Sequence, residues 1–323
     1  MFLTKNKVMF LSMLLVLGLF VVGCGSNQGA KSETKFLSIA TGGTSGTYYP
    51  IGGAIAKIIN EDVDNANASA QSTGASVTNT RLIAKKEVEL AILQNDIASY
   101  AVNGKNQFAD NPVKNMKGIA TLYPEVIQIV VREDAGIKSI QDLKGKKVAV
   151  GAPGSGVEAN AKQILNFFGL TYDDVEEDYL SFGEAASRLK DRQIDAAFLT
   201  AGVPTAAVMD VAATQDINLL SFSKDEISKL NAEYPFLTGV KVPAGTYNGL
   251  DNDVTTIALK ATLVVEASLS EDLVYNITKA IFENRDELIE AHDRAKDIKV
   301  ENAQEGMTVE LHPGAAKYFD EVK

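Results

Sequence analysis

The 323-residue chain has one cysteine, two histidines and no tryptophan. A single cysteine excludes an intrachain disulfide framework and any zinc site built on several thiolates. No Gly-x-Ser-x-Gly elbow, His-Glu-x-x-His helix or EF-hand loop occurs. His292 falls in the charged stretch 284–297, and His312, in His-Pro-Gly beside the last helical pattern, reads as structural. The acid-rich stretches 62–64 and 251–253 lack metal-ligand spacing and read as turns. These absences point away from an enzyme, and neither a metal nor a cofactor is expected. Basic residues are in deficit, 31 against 42 acidic, and the net charge of −11 would repel nucleic-acid phosphates.

Long apolar runs are also missing. The longest charge-free apolar stretch, 8–22, has fifteen residues. At 1.5 Å per residue it reaches about 22 Å, short of a ~30 Å hydrocarbon core. Behind the basic pair Lys5 and Lys7 it suits a signal peptide better than a membrane span. Val21-Val22-Gly23-Cys24 resembles a bacterial lipobox, in which cleavage precedes a cysteine whose thiol is then acylated. The expectation is a signal peptide over 1–23, then a lipidated Cys24 and a small, polar tether over 24–35. Without 1–23 the chain holds 29 basic and 42 acidic residues, a net −13. Such a protein is exported and lipid-anchored at the outer face of the cytoplasmic membrane.

What is present is a globular composition, 46% apolar and 23% charged, long enough for two cores. Short apolar runs alternate with helical periods, the pattern of an α/β sheet with crossover helices. Strands are predicted over 36–41, 68–72 and 89–94, and helices over 48–60, 75–85 and 96–102. A second series has strands over 126–132, 147–150, 178–181, 194–200 and 217–222, with helices over 157–168, 184–192 and 204–212. Then come a long β-rich run, 255–265, a long helix, 271–290, a loop or short strand, 302–311, and a final helix, 313–322. Ser155/Glu158, Ser181/Glu184, Ser223/Glu226 and Ser268/Glu271 have capping-box spacing.

The two series echo one another. Each has a strand running into a Gly-rich turn and a helix, at 42–47 and 151–156, and a later apolar strand, at 88–94 and 194–200. This suggests two similar lobes, one of 36–125 with 256–323 and one of 126–255, with chain crossings near 124–126 and 253–256. Three turns, 42–47, 72–76 and 151–156, lead from strands to helix N-termini, where backbone N–H groups and the helix dipole favour an anion. In open α/β sheets ligands sit at such strand ends. A small carboxylate or similar anion between the lobes is therefore expected. The stretch 154–159 also matches Gly-x-Gly-x-x-Ala, but Gly151-Ala152-Pro153 separates it from its strand, which speaks against a dinucleotide site.

The run Phe-Leu-Ser-Ile-Ala-Thr-Gly-Gly-Thr-Ser-Gly-Thr-Tyr-Tyr-Pro-Ile-Gly-Gly (36–53) resembles the opening of TAXI-family solute receptors, the binding proteins of one class of TRAP transporter. Similarity continues through Ser72-Thr73-Gly74-Ala75-Ser76, Gln94-Asn95-Asp96, Leu143-Lys144-Gly145-Lys146-Lys147-Val148, Pro153-Gly154-Ser155-Gly156 and Gly202-Val203-Pro204 to His312-Pro313-Gly314-Ala315. The resemblance implies a type II periplasmic-binding-protein fold: two α/β lobes joined by two strand crossings, with a ligand cleft between them. It implies a fused multi-helix permease partner driven by an ion gradient, and a small-molecule ligand such as glutamate, glutamine, 2-oxoglutarate or a dicarboxylate.

Carried over by position, the ligand-facing set is Thr44, Ser45, Tyr48, Tyr49, Gly74, Ala75, Ser76, Asn79, Gln94, Asn95, Tyr123, Ser155, Gly156, Gly202 and Tyr247. Glu158 either caps its helix or meets a ligand ammonium, and Arg81 either clamps a carboxylate or lies on the surface. No arginine lies within the three turns, which leaves a neutral or zwitterionic ligand open. A binding lipoprotein of an ABC importer and a ligand-sensing surface protein are the alternatives.

Overall fold

A computed structural model describes residues 34–323. The expected signal peptide, Cys24 and the tether up to residue 33 lie outside the described residues. Three strand–turn–helix units come first: β1 (Lys35–Ala40) with α1 (Tyr48–Asp62), β2 (Ala66–Gln71) with α2 (Ser76–Lys85), and β3 (Leu90–Gln94) with α3 (Asn95–Asn103). The long strand β4 (Met116–Arg132) leads to β5 (Lys147–Ala149), α4 (Gly156–Phe167), β6 (Glu176–Asp178), α5 (Phe182–Lys190) and β7 (Ala196–Ala201). Next are α6 (Ala206–Ala212), β8 (Ile217–Leu219), α7 (Lys224–Glu233) and β9 (Thr238–Val242). A second long strand, β10 (Val254–Glu266), precedes α8 (Glu271–Glu283), α9 (Arg285–Ala291) and α10 (Pro313–Val322).

The strands form one mixed sheet in the order β2-β1-β3-β10-β4-β7-β5-β6, with β8 added on β4 and β9 on β10. Within each half the crossover-linked strands are parallel: β1 with β2 and β3, and β5 with β6 and β7. The long strands pair antiparallel with each other and with both halves. Residues 261–265 of β10 pair with β3, whereas 254–258 pair with β9, and the register against β4 shifts between Lys260 and Thr262. β4 and β10 are thus the two crossings that join two α/β lobes.

Burial follows from the residue pattern. Every residue of β3 and β7 is buried, as expected for strands covered on both faces. On α1, Ile51, Ile55, Ile58 and Ile59 recur at helical spacing and are fully buried. Each such side chain contributes about 1.5–3 kcal/mol. Two hydrophobic clusters draw their buried members only from 37–123 and 261–319, including Ile39, Ile92, Leu263 and Phe319. Two others draw theirs only from 126–259, including Ile129, Val148, Phe198 and Leu259.

Several local expectations need correction. Ser181/Glu184 and Ser223/Glu226 form reciprocal capping boxes. Ser155 caps α4, but Glu158 accepts from the Tyr172 hydroxyl at 3.1 Å instead of returning to the cap. Ser268 does not cap: it donates to Glu266, and Ser270 caps α8 by accepting from the Leu273 N–H. The predicted 271–290 helix is two helices. Asn284, at φ −111°, donates from its backbone and side chain to the Ala280 carbonyl and ends α8. Leu288 stays in phase with Ile281, so the apolar period runs unbroken across the interruption. The strand predicted over 178–181 is displaced to Glu176–Asp178, because Ser181 belongs to the helix cap that follows. β4 starts ten residues before the predicted 126, Pro124 being tolerated inside it. Among the described residues no helix is long and apolar enough to cross a membrane.

Candidate ligand-binding cleft

A cleft lies where the strand ends of both lobes meet. The turn after β1 contributes Gly42, Gly43, Gly46 and Thr47, and the turn before α2 contributes Thr73, Gly74 and Ala75. From the other lobe come Ala152, Ser155 and Val157, then Ser181, and Thr200 with Ala201 from β7. The first residues of α1, α2, α4 and α5 (Tyr48, Ser76, Gly156 and Phe182) all line it. Four helix N-termini, the positive ends of their dipoles, therefore border one space.

The lobes touch at its rim. The Thr78 N–H donates to the Gly154 carbonyl at 3.0 Å, and the Gly202 N–H to the Thr47 hydroxyl at 3.2 Å. A Cβ on Gly74 would come within 3.1 Å of the Pro153 carbonyl, and one on Gly156 would collide with the Gln94 amide. Glycine is required there for close approach. Ala75, which precedes α2, holds φ +66° and ψ −148°, a region populated almost only by glycine.

The lining contains no lysine, arginine or histidine. It contains one carboxyl group, Glu125, in the middle of β4 and 1% exposed. The Tyr48 hydroxyl donates to it at 2.7 Å and lies 3.5 Å from the Ser76 hydroxyl. Burial pushes Glu125 well above the usual carboxylate range, and the charge of Asp96 adds to the shift against the Tyr48 hydrogen bond. Burial likewise raises Tyr48 and Tyr123.

A second polar chain reaches the cleft through Gln94. Asp96 accepts from the Asn160 amide at 3.1 Å, and the Asn160 oxygen accepts from the Gln94 amide at 3.1 Å and from the Thr200 hydroxyl at 3.2 Å. All four residues are buried. Burial raises Asp96 to about 6. The chain leaves Gln94 Oε1 buried and without a hydrogen-bond partner.

The NMT1-like family model matches residues 39–322, nearly the whole described chain. The chain belongs to the NMT1-like family. Solved structures resemble this NMT1-like protein at low identity. PhnD1 from Prochlorococcus marinus (MIT 9301), in complex with methylphosphonate, is 11% identical, with 83% of this chain and 92% of that chain covered and a TM-score of 0.52. A protein from Bordetella bronchiseptica RB50 is 16% identical, covering 88% and 82%, with a TM-score of 0.55. The alkanesulfonate-binding protein SsuA from Xanthomonas axonopodis pv. citri, bound to MOPS, is 15% identical, covering 90% and 84%, with a TM-score of 0.48. The α/β fold with its mixed central sheet is the type II periplasmic-binding-protein fold that the sequence led us to expect.

Of the residues singled out from sequence, Tyr48, Gly74, Ala75, Ser76, Gln94, Ser155 and Gly156 line the cleft of this NMT1-like protein. Thr44 is exposed and Tyr49 is 37% exposed, one position round α1 from the inward Tyr48. Ser45 sits at the rim, where a Cβ on Gly183 would lie 3.1 Å from its hydroxyl. Asn79 is buried behind the turns, donating to the carbonyls of Thr41 and Ile92. Asn95 braces the chain by donating to the Gly306 carbonyl and accepting from the Lys260 N–H. The Tyr123 ring is buried in the lobe core. Gly202 packs against Thr47 and Arg294, and the Tyr247 hydroxyl bridges Gln128 and Thr205. Arg81 is exposed, and Glu158 bonds Tyr172.

Outside the three turns, sequence reasoning missed Glu125, Val157, Ser181, Phe182, Thr200 and Ala201. The signal for Glu125 was present: it is the one acid within the apolar run 118–131, directly after the Pro124 taken as a crossing. His312 caps α10 by accepting from the Gly314 N–H, and His292 accepts from the Arg294 N–H; burial lowers both. Among the described residues no cluster of His, Cys, Asp or Glu could hold a metal.

Proposed function

We propose that this NMT1-like protein is an extracytoplasmic solute-binding receptor that captures a small carboxylate or amino acid by lobe closure and delivers it to a membrane permease. It acts as a carrier and not as an enzyme. The observation that carries the reading is the convergence of four helix N-termini and a buried, cation-free polar floor on one cleft between the lobes. The lobes divide at the two crossings, 36–125 with 256–323 against 126–255, a division supported by the separate membership of the hydrophobic clusters. Ligand contacts from both lobes exist together only in the closed form, and that difference drives closure. A shift from 1:99 to 99:1 takes about 5.5 kcal/mol, which a few charge-assisted hydrogen bonds of about 1.5–3 kcal/mol supply.

The anchor is Cys24, a reading that rests on the lipobox-like residues 21–24, and the partner a fused TRAP-type permease, which rests on the resemblance of residues 36–53 and 312–315 to TAXI receptors. An ABC importer is the competing partner; a co-encoded ATPase subunit would decide for it.

The test is thermal-shift screening of residues 34–323, after unfolding and refolding, against amino acids, dicarboxylates, 2-oxo acids and oxyanions. A ligand at a hundred times its Kd adds about 2.7 kcal/mol, a shift of several degrees. Gly156→Ala, which drives a methyl into Gln94 at the cleft, abolishes that shift while the variant still melts cooperatively. Silence from the whole panel, or a shift undiminished in Gly156→Ala, overturns the reading.

A further inference from the structure

We infer that Glu125 and Gln94 form a seat for a protonated primary amine of the ligand, held in its acceptor polarity by Asp96 acting through Asn160. The inference deepens the receptor reading and rests on it.

The geometry is one of unmatched acceptors. Glu125 is the one carboxyl group in the lining, and no basic side chain there favours its ionised form. Its single side-chain partner is the Tyr48 hydroxyl. Gln94 Oε1 has none. Ser76 stands between the two residues: its hydroxyl accepts from the Gln94 backbone N–H at 3.2 Å and lies 3.5 Å from the Tyr48 hydroxyl. Buried acceptors are costly without donors, and a buried carboxylate without a cation still more so. An ammonium group brings three N–H donors and the missing positive charge. A ligand lacking it leaves Gln94 Oε1 orphaned and Glu125 uncompensated. The helix N-termini on the same cleft suit the other end of the molecule, its carboxylate.

The amide of Gln94 turns its oxygen toward Gly156, a residue of the cleft lining, for a reason outside the cleft. Ionised Asp96 can only accept, so Asn160 must give it the NH2 end and turn its own oxygen toward Gln94. That oxygen then takes the Gln94 NH2 and a hydrogen bond from Thr200. The other Asp96 oxygen accepts from the Ile97 N–H at 2.7 Å, so an Asn in its place that keeps its oxygen on that N–H turns its NH2 toward the Asn160 NH2. Relief requires Asn160 to turn over, and Gln94 with it, so that the cleft receives a donor where it had an acceptor. Asp96 is thus a positioning residue that sets the polarity of the seat.

The titratable groups around Glu125 are Tyr48, Tyr123 and Asp96. The tyrosines are raised above their ordinary range and stay neutral in the physiological window. Asp96, raised by burial to about 6, loses its proton as pH rises, so the acceptor polarity it imposes, and with it discrimination in favour of an amine, grows with pH between 5 and 8.

The experiment is calorimetric titration of residues 34–323, a compact unit with its own cores, at pH 7. The probes are matched pairs: L-glutamate with glutarate, L-glutamine with 4-carbamoylbutanoate, and L-leucine with 4-methylpentanoate. The amine member of the binding pair should be favoured at least about tenfold, and the ratio should rise from pH 5 to pH 8. Glu125→Gln keeps an acceptor for Tyr48 and so retains the fold, checked by circular dichroism, but levels the preference. Asp96→Asn lowers affinity for the amine and spares or improves that for its deamino partner, which a merely structural loss would weaken equally. Binding of the deamino member with equal or greater affinity overturns the inference and leaves the receptor reading standing. Failure of folded protein to bind either member of any pair, or any carboxylate or oxyanion, overturns both.

Discussion

The side chains that shape this cleft are mostly engaged with the protein. Ser155 and Ser181, whose hydroxyls invite a ligand role, accept from the N–H groups of Glu158 and Glu184 as helix caps. What the cleft offers a ligand is therefore backbone N–H groups, Gln94 and Glu125. Glycine positions were legible as turns, but their purpose was not: Gly156 is needed because of Gln94, a contact between lobes more than sixty residues apart in sequence. Glu125 was hidden because an isolated acid in a strand pattern looks like a surface residue until the strand is known to be central. Ala75 is the clearest case of strain. At φ +66° and ψ −148° a methyl group costs of order 1–3 kcal/mol that glycine avoids, offset in part by glycine's greater unfolded-state entropy. Ala75→Gly should raise the midpoint of thermal unfolding by a few degrees, measured by calorimetry; an unchanged or lower midpoint would show that the turn relaxes without cost.

At the scale of elements, apolar period and turn chemistry placed most strands and helices; β9 was not expected, and the other misses have separate causes. The break at Asn284 leaves the apolar phase intact, so periodicity cannot see it. The first half of β4 was overlooked because Gly118 and Pro124 dilute its β pattern, although antiparallel pairing with β10 holds it in the sheet. Capping boxes formed in full at Ser181 and Ser223, by half at Ser155, whose Glu158 is taken by Tyr172, and failed at Ser268, captured by Glu266 upstream. Ser223→Ala removes a reciprocal cap from α7, which carries no lining residue. It should cost about 1 kcal/mol in denaturant unfolding with ligand affinity unchanged; a large loss of affinity would mean that α7 is coupled to the cleft.

At the scale of the molecule, the echo between the two sequence series corresponds to parallel strands with crossover helices in both halves of the sheet. The cleft arises only because β4 and β10 set those halves side by side. Its buried acids bear on stability as well as binding. Asp96 is raised by burial to about 6 in the folded chain, against about 4 when unfolded. Between these values the folded state holds the extra proton, so its contribution is fully present at low pH and is lost as pH rises through 6. The stability of the wild type relative to Asp96→Asn should therefore fall by up to about 1.4 kcal/mol per pH unit between pH 4 and 6 and level off above. A flat difference would contradict the burial of a raised carboxyl.

Closure around a solute is the central claim, and a distance between the lobes tests it most directly. Residues 34–323 contain no cysteine, so Asp62→Cys and Glu177→Cys in that chain accept a donor and an acceptor dye at exposed sites, one in each lobe. Single-molecule energy transfer should show the population shift to one closed distance as the bound solute reaches saturation, with a midpoint equal to its calorimetric Kd. A distance distribution unchanged by saturating, bound solute would contradict the account.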